Sequence, residues 1–247
     1  MTDARVVAVT GASRGIGAHT AAELARRGYT VGALSRKGIG IEQFDLADEA
    51  ASRLVLIQCD VNDPQSRADA IAELVAETGR LDALVNNAGR HDEGPSKSYA
   101  VADFDKLLSD NVGSVFAMCQ LAYPHLKASK GMIVNMGSYY DKMGVRYHAA
   151  YSACKAAIAS ITRTLAVEWG RDGIRAVTVA PGFIATDLNA KHRENQAISD
   201  YMTSRIPAGV HGTPEEVGKL VAAVIDADLV FLNGETIYLD GGQSVNN

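Results

Sequence analysis

Residues 6–10, Val-Val-Ala-Val-Thr, form a short and almost unbroken apolar run, the pattern of a strand buried on both faces. The turn Thr10-Gly11-Ala12-Ser13-Arg14-Gly15-Ile16-Gly17 follows at once, and an Ala/Leu/Arg-rich helix runs from it to about Gly28. Strand, glycine-rich turn and helix in this order constrain the fold more than any other stretch, because together they open a dinucleotide-binding βαβ unit. Backbone N–H groups at the helix N-terminus suit a pyrophosphate, and the glycines let a ligand approach the chain closely. The spacing is G-x-x-x-G-x-G, not G-x-G-x-x-G, and the Lys-Ser/Thr of a nucleoside-triphosphate loop is missing. A ligand-free tight turn is the alternative; the flanking strand and helix favour the cofactor.

The pattern then repeats in kind. Strands are expected at 30–34, 54–58, 81–85, 133–136, 174–180 and 235–239. Helices are expected at 64–79, 102–126 and 151–170 and from Pro214 onward, and 37–53 reads as a loop with a short helix. Alternating strands and helices predict a parallel sheet covered on both faces, an α/β doubly wound fold. No repeat or break in composition divides the 247 residues, so a single domain, 1–247, is expected.

Net charge is −5, which excludes nucleic acid or an acidic membrane surface as an obvious partner. No apolar run approaches the ~20 residues of a membrane span. The N-terminus enters a strand with no signal-peptide pattern. Three scattered cysteines (Cys59, Cys119, Cys154) make neither a disulfide framework nor a metal site, and six histidines show no ligand spacing. A cytoplasmic protein is expected.

Tyr151 and Lys155 stand four apart on a helix, so their side chains share a face about 5–6 Å apart at Cβ. An ammonium beside a phenol favours the phenolate and would draw the Tyr pKa down, making a proton donor and acceptor. After the second strand come Ser35, Arg36 and Lys37, where an NAD site places a carboxylate. Donors and positive charge there, with Arg14 nearby, favour the 2′-phosphate of NADP; NAD is the alternative. Asp60, Asn86-Asn87-Ala88-Gly89, Ser138 and Pro181-Gly182 each fall at a strand's carboxyl end, and Asn111 lies awkwardly inside a helix.

In this order these residues resemble the short-chain dehydrogenase/reductase family over residues 5–242. The resemblance implies a seven-stranded parallel sheet ordered 3-2-1-4-5-6-7. It implies Tyr151 as general acid/base, Ser138 on the substrate oxygen, Lys155 on the nicotinamide ribose, and Asn111 supporting a water for proton relay. It implies Gly11, Ser13, Arg14, Gly15, Ile16 and Gly17 at the pyrophosphate, and Ser35 and Arg36 at the adenosine ribose. Asp60 and Val61 would meet the adenine, Asn87, Ala88 and Gly89 the ribose region, and Pro181, Gly182, Ile184 and Thr186 the nicotinamide side. It further implies a lid at about 187–209 and a homotetramer built on the two long helices.

Val134-Asn135-Met136-Gly137-Ser138 and the thirteen-residue step to Tyr151 look most like the 3-oxoacyl-carrier-protein reductase branch. Tyr139, Tyr140, Asp141, Lys142, Arg146, His148, Arg90 and His91 depart from it and suggest a pocket too polar for a fatty chain. The expected activity is NADP-dependent reduction of a ketone, or the reverse, on a small carbonyl or alcohol. The rivals are an NAD-dependent alcohol or sugar dehydrogenase and a non-catalytic cofactor sensor.

Overall fold

Along β1 (Val6–Thr10) alternate side chains enter opposite cores. Val7 and Val9 pack on one face of the sheet, Val6 and Ala8 on the other. That two-sided burial is why the strand reads as a continuous apolar run. The computed structural model describes residues 4–39, 41, 44, 46–185 and 196–246; Thr186 and the first part of the expected lid lie outside them.

The sheet among these residues has seven parallel strands in the order β3-β2-β1-β4-β5-β6-β7. They are β2 (Thr30–Ser35), β3 (Leu54–Gln58), β4 (Ala83–Asn86), β5 (Met132–Met136), β6 (Arg175–Pro181) and β7 (Thr236–Leu239). One face is covered by α1 (Gly15–Arg26) and α8 (Pro214–Ala227), whose Ala18, Ala22, Val217 and Val221 pack on Val7, Val9 and Val179. The other face carries α3 (Pro64–Thr78), α5 (Ser114–Ser129) and α6 (Ala149–Trp169), which bring Leu74, Met118, Leu126, Ile158 and Leu165 against Ala8, Leu84 and Ile133. The shorter α2 (Asp48–Ala51), α4 (Val101–Leu108) and α7 (Gln196–Ser204) complete the helices described.

Local signals explain the boundaries. Asp63 caps α3 by accepting from Ser66 N–H at 2.7 Å, Pro64 follows it, and Gly79 at φ 76° ends the helix. Thr213 and Glu216 form a reciprocal capping box ahead of α8.

The single helix expected over 102–126 is instead α4 and α5 joined through a π turn at Ser109–Gly113, with Asn111 inside it. Ser114 N–H bonds the carbonyl of Ser109, five residues back, and the skipped Asp110 carbonyl accepts from the Ser114 hydroxyl at 2.7 Å. Among the described residues no helix is long and apolar enough to cross a membrane.

Candidate active site

The carboxyl ends of β1, β4 and β5 meet where the strand order reverses, the place where open α/β sheets bind ligands. Gly11 (φ 66°) and Gly15 (φ 56°) take left-handed conformations in the turn after β1. Gly17 is needed for space: a Cβ there would lie 2.3 Å from the Gly11 carbonyl oxygen and 2.4 Å from the Asn87 amide nitrogen. That amide donates to the carbonyls of Thr10 (2.9 Å) and Gly11 (3.3 Å). The Thr10 hydroxyl in turn accepts from the N–H groups of Asn87 and Ala88, each at 3.0 Å. The glycine turn is therefore fixed to the end of β4.

Arg14 precedes α1, which has no side-chain cap and no acidic residue in its first turn. Its first N–H groups thus suit an anion. Arg14, Arg36 and Lys37 are exposed, and among the described residues their side chains form no ion pair or hydrogen bond. Ser13 and Ile16 line the turn, both partly buried. The close-approach glycines, the uncapped helix and the three unpaired cations fit a dinucleotide carrying a 2′-phosphate. Ser35 departs from expectation. It is 4% exposed and its hydroxyl turns to the Ile39 carbonyl at 3.4 Å, so Arg36 is the group that faces outward.

Farther along the rim, the Asp60 carboxylate accepts from Asn62 N–H at 2.9 Å, and the Val61 carbonyl accepts from Arg67 at 2.6 Å. Gly182 N–H donates to Leu239 O at 2.9 Å, just past Pro181 at the end of β6. The Ile184 side chain lies in the α1/α8 core and is not offered to a ligand.

Lys155 is 8% exposed, and its Nζ donates to the Met136 carbonyl at 2.8 Å, two residues before Ser138. The same nitrogen stands 5.4 Å from the centre of the Tyr151 ring. Burial lowers the Lys155 pKa to about 8 and raises that of Tyr151 above the ordinary phenol value, Tyr140 and Cys154 adding to the rise. The expected lowering of Tyr151 by Lys155 is therefore reversed here. The ammonium is committed to a carbonyl, and desolvation of the phenolate outweighs its attraction.

Ser138 is 8% exposed, and its oxygen accepts from Tyr140 N–H at 3.4 Å, which leaves the hydroxyl proton available. Asn111 is 1% exposed. Its Oδ1 accepts from Arg90 N–H at 2.9 Å, and its Nδ2 donates to the carbonyls of Arg90 (3.0 Å) and Leu107 (3.1 Å). One donor is spent on the chain after β4 and the other on α4, so any water would be held by the remaining oxygen lone pair or the backbone. Gly89 makes room, since a Cβ there would stand 2.6 Å from Asn111 Oδ1. Cys154 is buried, and burial raises its thiol pKa, in keeping with a packing role.

The polar segments around Tyr151 sort into two groups. His91 packs edge-on against the Tyr151 ring at 4.8 Å, and Tyr140 does so at 5.7 Å and meets His148 at 5.0 Å. Asp141 and Lys142 instead turn to β7, where Tyr238 donates to the carboxylate and lies under the ammonium. Arg90 pairs with Asp92 and Asp110, and Arg146 lies over Tyr147 at the surface.

Several supporting roles were not read from the sequence. Beneath the site Asn86 donates to Asn135 (2.9 Å), Asn135 to Thr162 (2.9 Å), and Thr178 to the same threonine (2.9 Å), all at most 3% exposed. Gln243 reaches back to Phe183 N–H and to the Tyr139 hydroxyl. The strand asparagines were visible as polar residues inside apolar runs; the threonine and glutamine carried no signal. His91, Glu93 and His148 also converge, although no ligand spacing marks them in the sequence.

The family described as enoyl-(acyl carrier protein) reductase matches residues 11–244. The chain belongs to the short-chain dehydrogenase/reductase family, NAD(P)-dependent oxidoreductases acting on alcohol and ketone groups. It is 33% identical to gluconate 5-dehydrogenase of Gluconobacter oxydans strain 621H, over 96% of this chain and 94% of that one. It is 36% identical to a tropinone reductase homolog of Arabidopsis thaliana, over 96% and 91%. The structure of gluconate 5-dehydrogenase from Burkholderia cenocepacia J2315, in complex with NADP and tartrate, superposes with a TM-score of 0.88 at 30% identity. That match covers 98% of this chain and 96% of the other. The matching family carries an enoyl-reductase name, whereas these relatives carry names of a different substrate type and do not bear on the 3-oxoacyl branch.

Proposed function

We propose that this chain is an NADP-dependent oxidoreductase that interconverts a small polar ketone and its secondary alcohol, with Tyr151 as the proton-transfer group. The observation that carries the reading is the junction of Lys155 with the Met136 carbonyl and the Tyr151 ring, at the strand ends beside the glycine turn. The exposed cations Arg14, Arg36 and Lys37, unpaired among the described residues, support NADP over NAD, as does the NADP bound in the Burkholderia relative. Histidine and tyrosine rings around Tyr151 favour a hydroxylated or carboxylated substrate over an acyl chain, in line with the gluconate activity named for two relatives.

The bound cofactor would supply the hydride. Negative charge then grows on the carbonyl oxygen, and Ser138 and Tyr151 donate to it more strongly in the transition state than before it. Tyr151, held as a neutral phenol by its surroundings, gives up the proton in the reducing direction. Lys155 keeps the residual tyrosinate from being an uncompensated buried charge. Asn111 holds the Arg90 backbone at the edge of this space. The protein's part is placement, proton delivery and exclusion of water.

The test is consumption of NADPH against ketoacids, keto sugars, cyclic ketones and acyl thioesters, with Tyr151→Phe alongside. Loss of the phenol should lower turnover by about 10²–10⁴-fold, the range of general acid catalysis, with cofactor binding kept. Equal turnover in Tyr151→Phe would sink the assignment.

A further inference from the structure

His91 and Glu93 lie on the chain leaving β4, and His148 is the residue just before α6. One ligand atom from each lies within 4.8 Å of the others, and among the described residues no second group of this kind occurs. The two segments are joined by the backbone, since Gly94 N–H donates to the Tyr147 carbonyl at 2.8 Å. Tyr147 itself sits at φ 71°, a conformation uncommon for a bulky residue and one that persists only where surroundings hold it.

The protonation of His148 can be read from its partners. Its Nδ1 stands 2.6 Å from the Arg146 carbonyl, which can only accept, so Nδ1 carries the hydrogen. In the neutral ring Nε2 then presents a lone pair, and 3.1 Å away it meets the Glu93 carboxylate, also an acceptor. Two acceptors at that distance need a cation between them, either a proton or a metal ion. The first engages two of the three groups in an ion pair; the second would engage all three. A histidine that donates one N–H to a backbone carbonyl and presents the other nitrogen to a carboxylate, with a second imidazole close by, has the outer arrangement of a metal ligand.

We propose that His91, Glu93 and His148 form a binding site for one divalent transition-metal ion of the zinc class, at the mouth of the substrate space beside Tyr151. Two imidazoles and one carboxylate are the donor set of three-ligand zinc sites, which keep a further position open. With metal–ligand bonds of about 2.0–2.2 Å, tetrahedral neighbours lie roughly 3.3 Å apart. His148 and Glu93 already meet that spacing, and the His91 ligand atom lies within 4.8 Å of both. His91 packs tilted against His148 (5.0 Å) and edge-on against Tyr151 (4.8 Å), so the ion would border the proton donor without taking its place.

The test is equilibrium dialysis of the NADPH-loaded protein against Zn²⁺, with metal content measured per chain. One ion per chain is expected, with affinity lowered at least tenfold in His148→Ala and in Glu93→Gln and unchanged in His125→Gln. Unaltered binding in both site variants, or no saturable binding in the wild-type protein, would overturn the proposal. Should a variant fail to fold, crystals of the wild-type protein soaked in zinc decide it by anomalous scattering. A peak between the three side chains supports the site, and none there refutes it.

Discussion

Lys155 lies with its ammonium against the Met136 carbonyl and a pKa lowered to about 8 from 10.5 by burial. Because the folded value lies below the unfolded one, the cost of the buried charge is fully present below about pH 8. It shrinks as pH rises toward 10, where the unfolded chain still binds the proton and the folded one does not. Lys155→Met removes that cost and should raise stability at pH 7 by on the order of 1–3 kcal/mol, read as a higher melting temperature, while turnover is lost. In the intact enzyme, reduction should decline as pH climbs through about 8, because Tyr151 loses its charged neighbour; a stopped rate series across pH 6–10 checks this. Arg36 is exposed and unpaired among the described residues. Arg36→Asp should raise KM for NADPH by about 10–100-fold, the loss of a charged hydrogen bond, and leave NADH use equal or better. The sequence made both cations visible by position, yet not the sign of the Tyr151 shift. That sign depends on how much water reaches the phenol, which no spacing of residues encodes.

At the scale of elements, the glycine turn and the end of β4 behave as one piece, because Asn87 and Thr10 exchange hydrogen bonds across them. Gly17→Ala should force the two apart, since its Cβ would enter the space of the Gly11 carbonyl and the Asn87 amide. We expect NADPH binding to weaken at least tenfold in fluorescence titration, with the circular dichroism of the helices retained. The strand–turn–helix order was legible because three local signals coincide there: an apolar run, glycines and an Ala-rich helix. The π turn was not legible as such. Asn111 disagreed with a regular helix, but nothing in single-residue preference distinguishes a kink, a cap and an added residue. The convergence of His91, Glu93 and His148 was hidden for another reason: the two segments are distant in sequence and meet only through the β4–β5 pairing and the start of α6.

At the scale of the molecule, alternation of strands and helices made the parallel sheet legible and the family resemblance supplied its order, and the burial of both faces matches the apolar strands. What lies outside the chain is less visible from it. Val167 is 82% exposed on α6, and Leu229, Val230 and Phe231 stand exposed after α8. Apolar groups left in water on a long helix fit the homotetramer that the family resemblance implies, and light scattering should then give four times the 26.1 kDa chain mass. A mass of one chain would refute it.

The π turn also sets an angle. Before it, Leu107 of α4 packs with Ala150 and Cys154 of α6; after it, Val115, Met118 and Cys119 of α5 face the sheet. One residue advances a helix by about 100°, so the extra residue at 109–113 is a phase offset that lets a continuous helix serve two cores pointing in different directions. Deleting one residue there would bring the exposed Phe116 to the position of Val115 and turn every later contact with it. In this stretch the count of residues, more than their kind, decides which surface meets the sheet.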